Sequence, residues 1–189
     1  MRRRQVLALA TDLFVERGFA AASMDELAKR AGVSKPVIYD LIGSKEALFG
    51  EVCGQEAAAL AAAVQAAVTA QPDPEQKLHA GALAFFRFAE RRRAAWDALL
   101  SADTAPVNAE LAAARRLNAA SVARLLAEAA ASSGTELDPI LADACAHAIN
   151  GAFEALSVWW RDHPTVSAEA LATLANNLVM PGLRSFRDG

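Results

Sequence analysis

Residues 23–49, SMDELAKRAGVSKPVIYDLIGSKEALF, decide how the rest of the chain is read. The stretch reads as two short helices joined by a tight turn, followed by the start of a third. Ser23 can cap the first helix, and Glu26, three residues on, can bond back to it. Leu27, Ala28 and Ala31 then share one face. Gly32 permits the left-handed backbone that ends a helix, where a side chain would clash. Ser34 can cap the next helix. Pro36 is tolerated in its first turn because the N–H it lacks would be unpaired there. Val33, Val37 and Leu41 recur every four residues and are expected to bury one side of that helix. Lys35, Pro36, Tyr39 and Asp40 are left facing outward. Gly43 and Ser44 break and restart the chain, and Lys45 opens a longer helix.

This is helix-turn-helix spacing, with the second helix, about Lys35 to Ile42, suited to a DNA major groove. An ordinary pair of packed helices fits the same pattern, so the wider match matters. From Arg3 to about Gln55 the sequence resembles the TetR (tetracycline-repressor-like) family of bacterial transcriptional regulators. The resemblance is carried by Ala10, Leu13-Phe14, Gly18-Phe19, Ser23-Met24, Leu27-Ala28, Ala31 to Lys35, Tyr39 and Ser44 to Leu48. It implies an all-α fold: an N-terminal three-helix DNA-binding bundle plus a C-terminal helical ligand-binding and dimerisation domain. One departure stands out. Where the family usually carries His-Phe after the Tyr, this chain has Leu41-Ile42. Ile42 can replace the aromatic core residue. Leu41 cannot make the polar phosphate contact, so that grip is weaker or carried elsewhere.

The resemblance implies DNA-facing roles for Ser23, Ser34, Lys35, Pro36, Val37, Tyr39, Asp40, Ser44 and Lys45. Tyr39 and Lys45 are expected to hold phosphate, the latter with Ser44 and the free N–H groups of the helix start. Lys35, Val37 and Tyr39 are the base-edge candidates, Val37 through a thymine methyl. Asp40 is expected to orient Lys35 or a neighbour, or to accept from cytosine. The arginines at positions 2–4 can touch phosphate or form a loose basic terminus.

Charge distribution agrees. Residues 1–50 carry eight Lys/Arg against six Asp/Glu, while the remainder carries eleven against sixteen. The basic end therefore coincides with the candidate reading head. Of the 189 residues, 54% are hydrophobic, enough for a sizeable core, and the abundant alanine favours close-packed helices. Cys53 and Cys145 offer neither a disulfide framework nor metal spacing, which suits a reducing cytoplasm. The run around Ala57 to Ala70 is too weakly apolar for a membrane span.

Along the chain, helices are expected at about Arg3 to Arg17, Lys45 to Ala70, Glu75 to Glu90, Ala94 to Ala102, Val107 to Ala131, Asp138 to Arg161, and from Ser167 to near Leu183. Arg91-Arg92-Arg93 is read as a helix-end complement and loop, not a nucleic-acid patch. The division expected is 1–50 for DNA binding and 51–189 for regulation and dimerisation. In the helix before Arg161, Ile140, Ala144, Ala148, Ala152, Ala155 and Trp159 form one face. Cys145, Ile149, Phe153, Leu156 and Trp160 form another, and Asp143, His147, Asn150, Glu154, Ser157 and Arg161 form a polar line read as solvent-facing. A helix apolar on two sides is buried on both. Periodicity leaves open which of Trp159 and Trp160 faces inward. The family pairs its last two long helices with a symmetry mate, which implies dimer roles for Ala148, Ala152, Ala155, Trp159, Leu171, Leu174 and Leu178.

No catalytic constellation emerges. His79, His147 and His163 lack zinc-type spacing, and no Gly-rich phosphate loop or nucleophile elbow is present. No cofactor, metal or catalytic residue is expected. The resemblance instead implies a small-molecule pocket lined by Phe85, Phe86, Trp96, Leu99, Val122, Ile149, Phe153 and Trp160, with Asn118 and Arg115 orienting an apolar or aromatic effector. The same residues also suit a packed core. The expectation is thus a cytoplasmic homodimeric repressor that binds a palindromic double-stranded DNA operator and is released from it by a small-molecule effector, with no membrane partner. Its rivals are an activator without an inducer, a helical interaction module that has lost DNA binding, and a helical-bundle enzyme.

Overall fold

The computed structural model describes residues 3–92, 105–132 and 134–185. Among them every regular element is helical: α1 (Arg3–Ala21), α2 (Met24–Ala31), α3 (Lys35–Ile42), α4 (Lys45–Thr69), α5 (Pro74–Arg91), α6 (Ala105–Ser132), α7 (Pro139–Trp160) and α8 (Ala168–Ser185). Trp96, Leu99, Arg93 and the short helix expected at about Ala94 to Ala102 lie outside the described residues. The chain divides into two compact units, one of residues 1–58 with 92–114 and one of 59–91 with 115–189.

In the first unit, Gly18 interrupts α1 with φ 72° and ψ 168°, a backbone that favours glycine. Val6, Ala10, Leu13 and Phe14 of α1 are buried against Leu27 and Ala28 of α2, Ile38 and Ile42 of α3, and Leu48, Phe49, Val52 and Cys53 of α4. The Phe49 ring meets Phe14 at 4.8 Å edge-on and Phe19 at 4.7 Å. Such pairs add to the burial of their own area. Glu56 is a buried acid of this unit. Its Oε1 accepts from Arg92 at 2.8 Å, and its Oε2 is buried with no hydrogen-bond partner.

The α3 face differs from the one expected. Ile38 (0% exposed) and Ile42 are buried, Val33 and Leu41 are half-buried, and Val37 is 40% exposed. Val33 precedes the helix, so counting in fours from it misplaces the inward face by about one residue. Ile42 does take the core position expected of it.

In the second unit, the α7 cap forms as its sequence suggests. Asp138 accepts from Ile140 N–H at 2.7 Å and Leu141 N–H at 3.3 Å, with Pro139 at the first helical position. Ser167 accepts from Ala170 N–H at 3.1 Å at the start of α8. That helix runs through Pro181-Gly182 to Ser185. On α5, a Cβ at Gly81 would sit 3.3 Å from Val68 Cγ2, so the missing side chain lets α4 and α5 approach closely. Phe85, Phe86, Phe88, Ile149, Trp160 and Leu171 are buried. Leu171 is thus a core residue of its own unit and not a free dimer contact. The helix α4 is long and apolar enough to cross a bilayer by length and composition. Leu48, Phe49, Val52 and Cys53, at its start, are buried in the first unit.

Candidate nucleic-acid interface and effector site

The turn between α2 and α3 is built by backbone hydrogen bonds. Gly32, at φ 67° and ψ 27°, donates to Lys29 O at 3.2 Å, and Val33 donates to Ala28 O at 3.1 Å. This pairing satisfies the last carbonyls of α2 and turns the chain sharply into α3. Ser23 Oγ accepts from Glu26 N–H at 3.1 Å, one half of the expected capping box. Glu26's carboxylate goes elsewhere, accepting from Arg30 at 2.8 Å. Ser34 holds an extended N-cap backbone, but its hydroxyl makes no capping bond.

Once Ile38 and Ile42 are buried, α3 presents Lys35, Pro36, Val37, Tyr39 (43% exposed) and Asp40 outward. Lys35 Nζ donates to Asp25 Oδ2 at 3.0 Å, and that hydrogen bond holds the ammonium above the usual lysine value. Asp25, not Asp40, is therefore its partner, and a phosphate or base edge must compete with Asp25 for it. Ser44 Oγ accepts from Ala47 N–H at 3.1 Å and caps α4. Lys45, the expected phosphate contact, is engaged within the first unit at the surface. Its Nζ donates to Ala20 O at 3.2 Å and sits 4.6 Å from the centre of the Phe19 ring. Arg3, which the sequence placed among possible phosphate contacts, is engaged with Glu51 and the Leu41 carbonyl. This link between residues 38 and 48 positions apart has no sequence signal beyond opposite charge.

The predicted effector residues of the second unit do come together, as a packed aromatic group. Phe85 meets Phe86 at 5.2 Å and Phe153 at 5.6 Å, while Phe86 meets Phe153 at 5.4 Å and Trp160 at 6.1 Å. Trp160 is the inward tryptophan, 3% exposed, with its Nε1–H donating to Val166 O at 2.7 Å. Trp159 is outward and stacks on His163 at 3.9 Å. The polar line on α7 is not uniformly solvent-facing. Asn118 Nδ2 donates to Asn150 Oδ1 at 2.7 Å, and Arg115 pairs with Glu154 at 2.7 and 2.8 Å. Both pairs join α6 to α7, and Val122 lies half-buried one turn beyond Asn118. Ser157 is buried. On the other face of α7, Ile140, Ala144, Ala148, Ala152, Ala155 and Trp159 are all exposed, as are Leu174 and Leu178 on α8. Among the described residues, no group of three or more His, Cys, Asp and Glu is placed to hold a metal ion.

Residues 6–52 match the family described as bacterial regulatory proteins, tetR family. Residues 74–182 match the tetracyclin repressor-like C-terminal domain. The HTH-type transcriptional activator FasR of Mycolicibacterium smegmatis is 45% identical over 89 residues, which is 47% of this chain and 41% of that protein. The match therefore spans less than half the length of that relative. A TetR-like transcriptional regulator from Rhodococcus sp. RHA1 superposes with a TM-score of 0.74 at 28% identity over 96% of both chains. The regulator FadR from Bacillus subtilis, solved in complex with stearoyl-CoA, gives 0.78 at 16% identity over 94% of this chain and 97% of that one. That last likeness shows the fold alone.

Proposed function

The chain belongs to the TetR family of DNA-binding transcriptional regulators, and we propose that it works as an effector-responsive homodimer on a near-palindromic operator. The observation that supports this most is the split face of α3, with Ile38 and Ile42 buried and Lys35, Val37 and Tyr39 offered outward. Two such helices, one per subunit, would enter successive major grooves with centres roughly 34–36 Å apart or somewhat more. Ser23, Ser34, Pro36 and Ser44 lie exposed at the ends of α2 to α4, where backbone phosphates pass a bound recognition helix. In this reading residues 1–50 serve as the reading head and 51–189 as the regulatory and dimerisation part, although residues 51–58 and 92–114 pack with the first unit.

The effector is a largely apolar small molecule, with a long acyl chain as the first class to test. Three things support it: the Phe85–Phe86–Phe153–Trp160 group, the adjacent polar pairs Asn118–Asn150 and Arg115–Glu154, and a fold shared with a regulator solved with stearoyl-CoA. An effector releases DNA only if it binds the non-DNA-binding state more tightly, so its entry must shift α4 between two arrangements. The closing assay is selection from random-sequence DNA, then binding at two salt concentrations with and without a long-chain acyl-CoA. A selected palindrome, affinity that falls with salt, and release by the acyl-CoA are expected. Failure to select any sequence would overturn the DNA-binding reading, and selection without release would overturn the effector. Repression is the first expectation for the sign of control. The activator name of the FasR relative favours activation instead, and transcription in vitro from the selected promoter decides between repression and activation.

A further inference from the structure

We propose that Arg3, acting with Glu51, sets the orientation of the recognition helix, as a positioning residue and not as a phosphate contact. This role presupposes the DNA-binding reading above. The helix α3 has no basic residue in its last turn, so it lacks the cation that helix C-termini favour. The Gly43 N–H takes up the Tyr39 carbonyl at 2.8 Å. The Leu41 carbonyl is met from another element, because Arg3 at the start of α1 donates Nη1–H to it. The same guanidinium donates Nε–H to Glu51 Oε1 at 3.2 Å and Nη2–H to Glu51 Oε2 at 2.5 Å. The hydrogen bond to Glu51, then its charge, raises the Arg3 pKa above the ordinary arginine value.

One planar group thus ties the start of α1, the end of α3 and the flank of α4. A guanidinium fork fixes the angles among its partners, whereas an ammonium would act as a point charge. Glu51 precedes Val52 and Cys53, which are buried in the first-unit core, so its backbone moves with that stretch of α4. A shift of α4 therefore pulls on Glu51 and, through Arg3, on the last turn of the recognition helix. The position whose carbonyl is held is Leu41, where the chain departs from the family's usual His. Arg3 lies at the surface, yet it is charge-matched by Glu51 and its fork is taken up by Glu51 and the Leu41 carbonyl, an arrangement that suits positioning better than phosphate binding.

The test compares Arg3→Ala, Arg3→Lys, Glu51→Ala and the Arg3→Ala/Glu51→Ala double variant in the full chain. Operator affinity is measured across salt concentrations, and amide hydrogen exchange is followed over residues 35–43. Each alanine variant is expected to weaken operator binding about threefold to tenfold. The double variant should be no worse than either single one, since both break one unit. Lysine should restore little, the salt slope should not change, and exchange over 35–43 should quicken. A phosphate contact behaves otherwise. Arg3→Ala alone would weaken binding, the slope would fall by about one, and Glu51→Ala would leave binding unchanged or tighter. That result overturns the proposal, as does unchanged affinity with unchanged exchange. If the unaltered protein selects no DNA sequence, the DNA-binding reading fails, and the exchange result by itself still decides whether the clamp holds α3.

Discussion

Gly32 holds φ 67° at the turn between α2 and α3, and a Cβ built there would touch nothing within 4 Å. Only backbone strain therefore opposes a side chain. Gly32→Ala is expected to cost about 1–2 kcal/mol, read as a lower midpoint in thermal melting, and an unchanged midpoint would show that the turn relaxes. This was legible from sequence because glycine at a helix end has one dominant reason to be there. The Glu16–Arg30 pair was not legible, since its members lie on different helices. The hydrogen bond from Arg30 holds the Glu16 carboxyl below its ordinary value. The folded chain then binds that proton less tightly than the unfolded chain. The contribution is present above the usual carboxylate range and is lost as pH falls through the lowered pKa. Glu16→Gln should lower the urea midpoint at neutral pH, and the two proteins should converge as pH falls through the lowered Glu16 pKa. A difference that persists in acid would mean that Glu16 contributes through packing. Tyr39 is half exposed on the outer face of α3, so Tyr39→Ala should weaken operator binding about tenfold or more and leave the dimer intact in sedimentation. Loss of the dimer would mark it as structural.

Elements were more legible than their faces. The caps, glycines and prolines placed the ends of α2, α3, α5 and α7 to within about two residues, the usual scatter in helix boundaries. Orientation was harder, because a period shows that a helix has an apolar side and not what covers it. On α3, the spacing of Val33, Val37 and Leu41 began outside the helix, and the true inward pair is Ile38 with Ile42. The two faces make opposite predictions. Ile38→Ala should cost about 2–5 kcal/mol of stability in urea unfolding, while Val37→Ala should stay within about 0.5 kcal/mol and instead change the selected DNA sequence. On α7, both apolar faces were visible, yet no local signal ranked Trp159 against Trp160. The ranking comes from α5, whose Phe86 ring meets Trp160 at 6.1 Å, while Trp159 stays exposed. Likewise Asn150 and Glu154 read as solvated until α6 supplied Asn118 and Arg115.

For the whole molecule, the exposed apolar residues of α7 and α8 carry the argument. Leu178 is 66% exposed, and Ile140, Trp159 and Leu174 are also open. Apolar residues that recur at helical spacing on two successive helices call for a partner, because water opposes leaving such a surface bare. A second copy of the chain is the partner that also gives two reading heads. A charge at the centre of an apolar interface is unpaired in both subunits at once, so Leu178→Glu should convert the dimer to monomer in sedimentation equilibrium. Its second consequence concerns DNA. A monomer contacts one half-site, so operator affinity should collapse toward non-specific levels and the salt slope should fall to about half, since about half the phosphates are neutralised. The folded reading head should survive, because Leu178 lies far along the chain from the core of Leu13, Phe14, Leu27, Ile38 and Phe49. Monomerisation with undiminished, steeply salt-dependent operator binding would mean that DNA recognition does not require the two-fold arrangement. A dimer that persists in the Leu178→Glu variant would move the interface to another face.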